Sequence, residues 1–208
     1  RYTLEKNSNP PRKVGTTLEL FDCLTCDKCI PVCPNDANFT LKIPQGETEI
    51  LEFKNNKSGW SVNARSSLKL AKKYQIANFA DFCNECGNCD IFCPEDGGPF
   101  LLKPRFFGSR ETFQEFSYRD GFYIERVETD DHASTVFSRF DGKEYRLETE
   151  GSLIRYSGPD FEVQFSRDDP ENTISGEAKN RVNFLNYEIM NMMRASYENT
   201  ARLAPTTD

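Results

Sequence analysis

The 208-residue chain is poor in the residues and motifs from which an active site is usually built. Its one histidine, His132, lies in the acidic turn Asp130-Asp131-His132 and is expected to be exposed to solvent. The sequence contains no G-x-G-x-x-G fingerprint for a dinucleotide and no phosphate-binding P-loop. No Ser–His or Cys–His pair is expected either. The chain therefore lacks the parts for substrate chemistry, and no catalytic residue is predicted.

Long apolar segments are also missing from the sequence. No stretch approaches the roughly 20 apolar residues that a membrane-spanning helix needs, and the start of the chain does not resemble a signal or transit peptide. The net charge of −7 argues against nucleic acid as a partner, because phosphate binding requires Lys and Arg. We therefore expect neither a membrane nor a nucleic acid as partner.

What the chain does contain is two matching runs of cysteines. The first run holds Cys23, Cys26, Cys29 and Cys33 before Pro34, and the second holds Cys83, Cys86, Cys89 and Cys93 before Pro94. Each reads C-x2-C-x2-C-x3-C-P, the spacing with which bacterial ferredoxins ligate [4Fe–4S] clusters. The runs use all 8 cysteines of the chain. They predict two [4Fe–4S] clusters and the transfer of single electrons.

The fourth cysteine of each run is expected to ligate the cluster of the other run. Three closely spaced cysteines can wrap one cube, whereas the fourth lies too close to a proline turn to fold back onto it, as in two-cluster ferredoxins. The predicted ligands of the first cluster are Cys23, Cys26, Cys29 and Cys93, and those of the second are Cys83, Cys86, Cys89 and Cys33. An apolar shell is predicted from Ile30, Val32, Ile91 and Phe92 beside the crossing cysteines.

Two other roles for the cysteines stay open at this stage. Four disulfides would suit a small secreted protein, although cysteines so close along a loop are poor disulfide partners. Structural zinc also uses CxxC pairs, although it usually takes its ligands as two separated pairs and not as runs of three. Reduced thiolates and oxygen-sensitive clusters suit the cytoplasm, which is the predicted location.

The predicted fold class is α+β, with a two-[4Fe–4S] ferredoxin-like domain followed by a small antiparallel β meander and a C-terminal helix. Residues 1–20 are expected to be a linker or extended arm, and residues 21–109 to form the two-cluster domain. Hydrophobic residues make up a modest 37% of the chain, so the clusters are expected to supplement the core of this half.

The two-cluster domain is predicted to carry an insert at residues 35–82. Alternating apolar residues at 39–43 and 49–53 predict a hairpin, and residues 66–75 predict a short helix capped by Ser66 or Ser67. The acidic turn after Cys93, which contains Glu95 and Asp96, is expected to be solvated.

Residues 110–208 are predicted to form the β domain. Strands at 134–140 and 143–148 are joined by Asp141-Gly142, a strong hairpin pattern, and the strand at 161–165 alternates apolar and polar residues. The helix is expected over 177–199. Its apolar stripe consists of Val182, Leu185, Ile189 and Met192. This helix either covers the sheet or docks on another subunit, and residues 204–208 are expected to form a frayed tail.

Two stretches resemble the C-terminal region of the selenate reductase flavin/iron–sulfur subunit family, which is similar to the glutamate synthase small subunit and to dihydropyrimidine dehydrogenase. They are LFDCLTCDKCIPVCPNDANF (20–39) and IANFADFCNECGNCDIFCPEDGGPFLLKPRFF (76–107). The resemblance covers roughly residues 10–110, with a weaker likeness in the β-rich tail. By position, it implies that the eight cysteines are cluster ligands.

The resemblance also implies a large cytoplasmic oxidoreductase. FAD and NAD(P)H would be bound by a flavin and nicotinamide domain or subunit elsewhere in the enzyme, and a xanthine-dehydrogenase-like subunit and purine catabolism are often associated with such proteins. The name of the family therefore need not describe the substrate. The chain opens with Arg1 and not with Met, as expected of a processed subunit or a segment of a longer polypeptide.

Three functions compete on these grounds. The first is an electron relay within a larger oxidoreductase, the second is a free-standing ferredoxin-type carrier, and the third is a structural iron–sulfur or zinc module. The β-rich second half favours the relay, because a diffusible carrier has no need of roughly a hundred extra residues.

Overall fold

The computed structural model describes residues 3–43, 45–56, 59–126 and 133–201. The chain splits into two compact units. Unit 1 comprises Arg1–Pro44 and Lys72–Gly121, and unit 2 comprises Gln45–Ala71 and Phe122–Asp208. This division differs from the predicted domains, because residues 45–71 belong with the second half of the chain. The predictions for His132 and for the tail at 204–208 lie outside the described residues.

The elements are short strands with a few helices. In chain order they are α1 (Leu4–Asn7), β1 (Asn38–Leu41), β2 (Gly46–Asn56), β3 (Gly59–Leu70), β4 (Gln75–Phe79), a 3₁₀-helix (Ala80–Phe82), α2 (Asn88–Phe92), α3 (Pro99–Leu102), β5 (Arg105–Phe107), α4 (Arg110–Glu115), β6 (Gly121–Arg126), β7 (Ala133–Phe140), β8 (Lys143–Glu150), β9 (Leu153–Gly158), β10 (Phe161–Ser166), α5 (Pro170–Thr173), β11 (Ser175–Ala178), β12 (Val182–Asn183) and α6 (Leu185–Ala201). Among the described residues, no helix is long and apolar enough to cross a bilayer.

Unit 1 positions the cysteine runs around three strands in the order β1-β4-β5. Strand β1 pairs antiparallel with β4, and β4 pairs parallel with β5. Leu41, Ile76 and Phe106, one from each strand, are at most 1% exposed. The first run precedes β1 and the second follows β4, so both runs adjoin the same small group of strands.

Unit 2 contains the antiparallel meander that the sequence predicts. Its strands follow the order β6-β7-β8-β9-β10-β11. In the loop between β7 and β8, Asp141 and Gly142 have φ of 51° and 71°, the left-handed pair that a two-residue hairpin turn requires. Phe140 pairs with Lys143 beside this loop, so the predicted hairpin is confirmed.

The core of unit 2 is aromatic. Phe184 lies 4.7 Å from both Phe53 and Phe165, measured between ring centroids, and 5.2 Å from Tyr187. Tyr156 is 1% exposed and packs 5.9 Å from Tyr187. Burying a side chain of this size contributes about 1.5–3 kcal/mol relative to leaving it exposed. This unit therefore has a packed core made of its own side chains.

The predicted insert between the cysteine runs is wrong in both of its elements. Strand β1 pairs with β4 and not with the segment at 49–53, which lies in β2 and pairs with β3. Residues 66–70, predicted as helix, are the end of β3. The eleven-residue strand β2 offers this segment a full antiparallel ladder, and such tertiary pairing overrides the weak helix propensity of a short segment.

The predicted C-terminal helix begins too early. Residues 175–178 form β11 against β10, and Val182 pairs with Phe53 of β2. Helix α6 starts at Leu185, where the Asn183 side chain accepts a hydrogen bond of 2.8 Å from the Leu185 amide. The buried stripe is also shifted. It comprises Tyr187, Ile189, Met190, Met193 and Ser196, whereas Leu185 is exposed.

The N-terminal arm is anchored, in contrast to the predicted linker. The Val14 amide donates to the Pro94 carbonyl and the Leu18 amide to the Asp96 carbonyl, each at 2.8 Å. Leu18 is 3% exposed. The arm therefore runs along the end of the second cysteine run, because these backbone groups find their hydrogen-bond partners there.

Candidate functional site

The two cysteine runs share an unusual backbone conformation. Thr25 and Asp27 in the first run have φ of 51° and 61°. Glu85 and Gly87, which occupy the same positions in the second run, have φ of 55° and 80°. Non-glycine residues rarely adopt positive φ, so the match is a structural repeat and not only a repeat of spacing.

Four cysteines from both runs line one cavity. The lining of this cavity includes Cys23, Cys26, Cys29 and Cys93. These residues are the predicted ligands of the first cluster. Cys93 comes from the other run, so the fold brings the crossing cysteine to the set for which it was predicted.

Two other cysteines of the second set, Cys83 and Cys33, lie near Cys89. Burial, and after it the charges of the nearby Cys83 and Cys33, raise the pKa of Cys89 to about 11, although hydrogen bonds from the Phe100 backbone and the Asn38 side chain act in the opposite direction. Cys33 is thus close enough to act on a cysteine of the other run, as crossed ligation requires. Cys86 is exposed to solvent, which leaves this set more open than the first.

The two sets meet at a small buried core. Cys29 and Cys89, each 7% exposed, pack with Ile76, which is fully buried. The Asn38 side chain donates a hydrogen bond of 2.9 Å to the Cys29 carbonyl, and its bond to the Cys89 thiol lowers the pKa of that thiol. The Asn78 amide fixes Asn38 by donating to its oxygen at 3.0 Å. Asn38 therefore lies between the two sets.

Burial keeps several of these thiols neutral when no metal is bound. It raises the pKa of Cys23, Cys29 and Cys93, and at Cys29 the neighbouring thiols add to the effect of burial. Only the thiolate is a good metal ligand, so metal binding at these positions must release protons.

Backbone amides point at the sulfurs. The Thr25 amide donates to Cys23 Sγ and the Ala37 amide to Cys33 Sγ, each at 3.3 Å. Backbone hydrogen bonds from Phe100 and Glu95 reach the Cys89 and Cys93 thiols. Such donors favour negative charge on sulfur, which suits thiolate ligands.

Buried charges surround the first set. Asp27 and Glu95 are 2% and 3% exposed, and Lys103 is 3% exposed. The Tyr74 hydroxyl donates to the Asp27 carboxylate at 3.1 Å, and Lys103 Nζ donates to the Glu19 carbonyl at 2.8 Å. Burial lowers the pKa of Lys103, while the charges of Cys23 and Glu95 oppose that shift. Glu95 was expected to be solvated, and this prediction is wrong because the anchored arm covers it.

Two arginines hold a carboxylate of the second run. Glu85 accepts from Arg119 Nη2 at 2.6 Å and from Arg105 Nη1 at 3.1 Å. The hydrogen bond from Arg119 contributes most, and that from Arg105 adds to it, in holding the pKa of Glu85 below its usual value. The Arg105 side chain is 1% exposed and also donates to the Phe100 carbonyl at 3.3 Å. We call Glu85, Arg105 and Arg119 the arginine clamp.

Not every predicted residue lies where the sequence placed it. In the predicted apolar shell, Ile30 packs against the core of Cys29 and Cys89, but Ile91 is 56% exposed and does not shield the site. The residues that the sequence missed are Asn38, Lys103, Arg105 and Arg119. They lie outside the cysteine spacing, and no pattern marks them.

The cysteines form no disulfide, since all eight are free. Within the described ranges, no group of three or more His, Cys, Asp and Glu side chains has the arrangement to hold a metal ion. A four-iron cluster does not need several ligands around one ion, because each thiolate ligates a different iron. The cavity with its four cysteines is therefore the feature that bears on the cluster prediction.

Part of the chain is similar to two curated proteins. They are the "Putative oxidoreductase YgfK" of Escherichia coli K12 and the protein of the same name from E. coli O157:H7. Each is 32% identical over 100 residues, which make up 48% of this chain and 7% of the relative. The chain thus spans less than a tenth of the length of these relatives. No protein-family model matches the chain, and no solved structure is significantly similar to it.

Proposed function

We propose that this chain binds two [4Fe–4S] clusters in a ferredoxin-like arrangement and passes single electrons between sites that lie outside it. The observation that carries the proposal is the cavity lined by Cys23, Cys26, Cys29 and Cys93. The spacing alone predicts that set of four, and the fold gathers it from two separate runs. When bound, such clusters supply one-electron reduction and oxidation over a wide range of potentials.

The residues around the sulfurs fit this group. Eight free thiols match the eight ligands that two clusters need. The proposal keeps the crossed assignment of all eight. The ligands of the first cluster are Cys23, Cys26, Cys29 and Cys93, and those of the second are Cys83, Cys86, Cys89 and Cys33. Backbone donors such as the Thr25 amide, 3.3 Å from Cys23 Sγ, offset the negative charge on the ligands. Asn38 holds the two loops together where the sets meet.

The larger setting of this proposal is an oxidoreductase. The similar E. coli proteins carry that word in their name, and this chain matches only 7% of their length. A flavin and nicotinamide domain or subunit, with FAD and NAD(P)H, would exchange two electrons, which the chain would pass on singly. A cytoplasmic location and a xanthine-dehydrogenase-like partner belong to the same proposal.

Anaerobic reconstitution of the chain tests the proposal. Given iron and sulfide without zinc, the chain is expected to take up about eight iron and eight sulfide. A variant with Cys29 and Cys89 both replaced by Ala is the matched control, because it removes one buried ligand from each set. Failure of the unaltered chain to take up iron, together with stoichiometric zinc binding in a parallel sample, would overturn the proposal in favour of a structural module.

A further inference from the structure

We infer that the second cluster, held by Cys83, Cys86, Cys89 and Cys33, has the higher reduction potential of the two, and that the positive charge of the arginine clamp contributes to this difference. The inference rests on the proposed function. It adds a direction, because an electron shared by the two clusters would reside mainly at the second. Three independent features of unit 1 point the same way.

The first feature is the sign of the buried charge. Reduction adds one negative charge to a cluster, so nearby cations raise its potential and nearby anions lower it. At the first set Asp27 and Glu95 outnumber Lys103, and all three are at most 3% exposed. The half-exposed Lys13 does not reverse the balance, because it pairs with Asp90 and Asp96 at 3.4 and 3.5 Å.

The arginine clamp has the opposite balance. Two guanidinium groups share the single carboxylate of Glu85, which leaves one net positive charge. Glu85 itself lies between Cys83 and Cys86 in the chain, and the charge of Cys83 acts on Arg119. Because the Arg105 side chain is only 1% exposed, water screens its charge poorly.

The second feature is exposure to solvent. Cys29 and Cys93 of the first set are buried, whereas only Cys89 of the second set is buried and Cys86 is exposed. Burial penalises an added negative charge. The more open second set therefore accepts an electron more readily.

The third feature is hydrogen bonding to sulfur. Cys89 receives bonds from the Phe100 backbone and the Asn38 side chain, and Cys33 receives one from the Ala37 amide. The first set receives bonds at Cys23 and Cys93 from backbone amides. Hydrogen bonds to the sulfurs stabilise the reduced state. The additional donor at the second set, the Asn38 side chain, therefore raises the potential of the second cluster relative to the first.

A redox titration of the full reconstituted chain, followed by EPR, tests the inference. The two one-electron waves are assigned with Cys26→Ala and Cys86→Ala, which each alter one set whether or not ligation is crossed. The wave of the second set is expected at the higher potential. Glu85→Gln should raise it and Arg119→Gln should lower it, each by about tenfold in the reduction equilibrium, or about 59 mV.

The controls separate charge from structure. Lys42→Gln removes an exposed cation of unit 1 and should move neither wave comparably. Arg105→Lys keeps the charge and should keep the potential, whereas Arg105→Gln should lower it. A loosened loop would shift the potential in the same direction in Glu85→Gln and Arg119→Gln, so opposite shifts must come from charge. If one variant loses its cluster, the sign of the shift in the other variant still tests the inference.

Two results would overturn the inference. One is a second-set wave at or below the potential of the first, and the other is shifts of the same sign in Glu85→Gln and Arg119→Gln. Failure of the unaltered chain to take up iron would instead defeat the proposed function, so the two failures are distinguishable.

Discussion

The two cysteine runs have the same spacing and the same left-handed backbone positions, yet their surroundings differ. Around the first run lie the buried Asp27, Glu95 and Lys103. Beside the second run the carboxylate of Glu85 is held by two arginines. The comparison separates two requirements. Local sequence shapes the loop that presents three sulfurs, whereas distant residues set the charge and solvent exposure that the site experiences.

Paired cysteine substitutions are expected to have the largest effect, because they remove cluster ligands. If the fourth cysteine crosses over, Cys23→Ala with Cys93→Ala removes two ligands of one cluster and leaves about four iron atoms per chain. Cys23→Ala with Cys33→Ala then damages both clusters and leaves almost none. Iron analysis after anaerobic reconstitution gives the counts. The reverse ranking would show that each run ligates its own cluster.

Removal of iron with a chelator should affect the two units unequally. The cysteine loops of unit 1 pack on a small buried core that includes Cys29, Ile76 and Cys89, and the clusters would add to it, so the amides of these loops are expected to lose protection from hydrogen exchange. Unit 2 has its aromatic core, so amides of β8 and β9 should stay protected. Hydrogen exchange followed by mass spectrometry measures both. Equal loss in both units would contradict the expected difference.

Lys103→Gln should act on the first site alone. It removes the buried cation and leaves Asp27 and Glu95, so the potential of the first cluster should fall by about tenfold in the reduction equilibrium, or about 59 mV. The redox titration that resolves two waves is the measurement, with the exposed Lys42→Gln as control. A shift of the second wave instead would contradict this prediction, because it would show that Lys103 acts on the second cluster.

The smallest expected effect concerns the shared backbone. Gly87 has φ of 80° and open space where a Cβ would lie, so Gly87→Ala should cost roughly 1 kcal/mol of unfolding free energy from backbone strain alone. Gly87→Asn should cost less, because Asn tolerates this region, as Asp27 does at the equivalent position. Chemical denaturation of the reconstituted chain compares them. Equal costs for Ala and Asn would indicate that the left-handed conformation is not what this position requires.

The sequence predicts best what depends on neighbours along the chain. The cysteine spacing predicts the four cysteines that line the cavity, and Asp141-Gly142 predicts the hairpin of β7 and β8. Residues 66–70 were predicted as helix because their composition suits one, and only the ladder with β2 makes them a strand.

The residues missed at the site share one cause. Asn38 reaches the cysteines because β1 pairs with β4, which sets Asn38 opposite Asn78. Arg105 and Arg119 reach Glu85 from β5 and from the segment after α4. Such proximity depends on strand pairing and on the path of distant segments, and a single sequence carries no local pattern for it.

The most direct test of the account is the EPR spectrum of the anaerobically reconstituted chain after chemical reduction. Two interacting S = 1/2 signals that integrate to about two spins per chain are expected, as two reduced [4Fe–4S] clusters would give. Replacing Cys29 and Cys89 with Ala should abolish them. An EPR-silent protein that holds zinc after the same treatment would contradict the central claim.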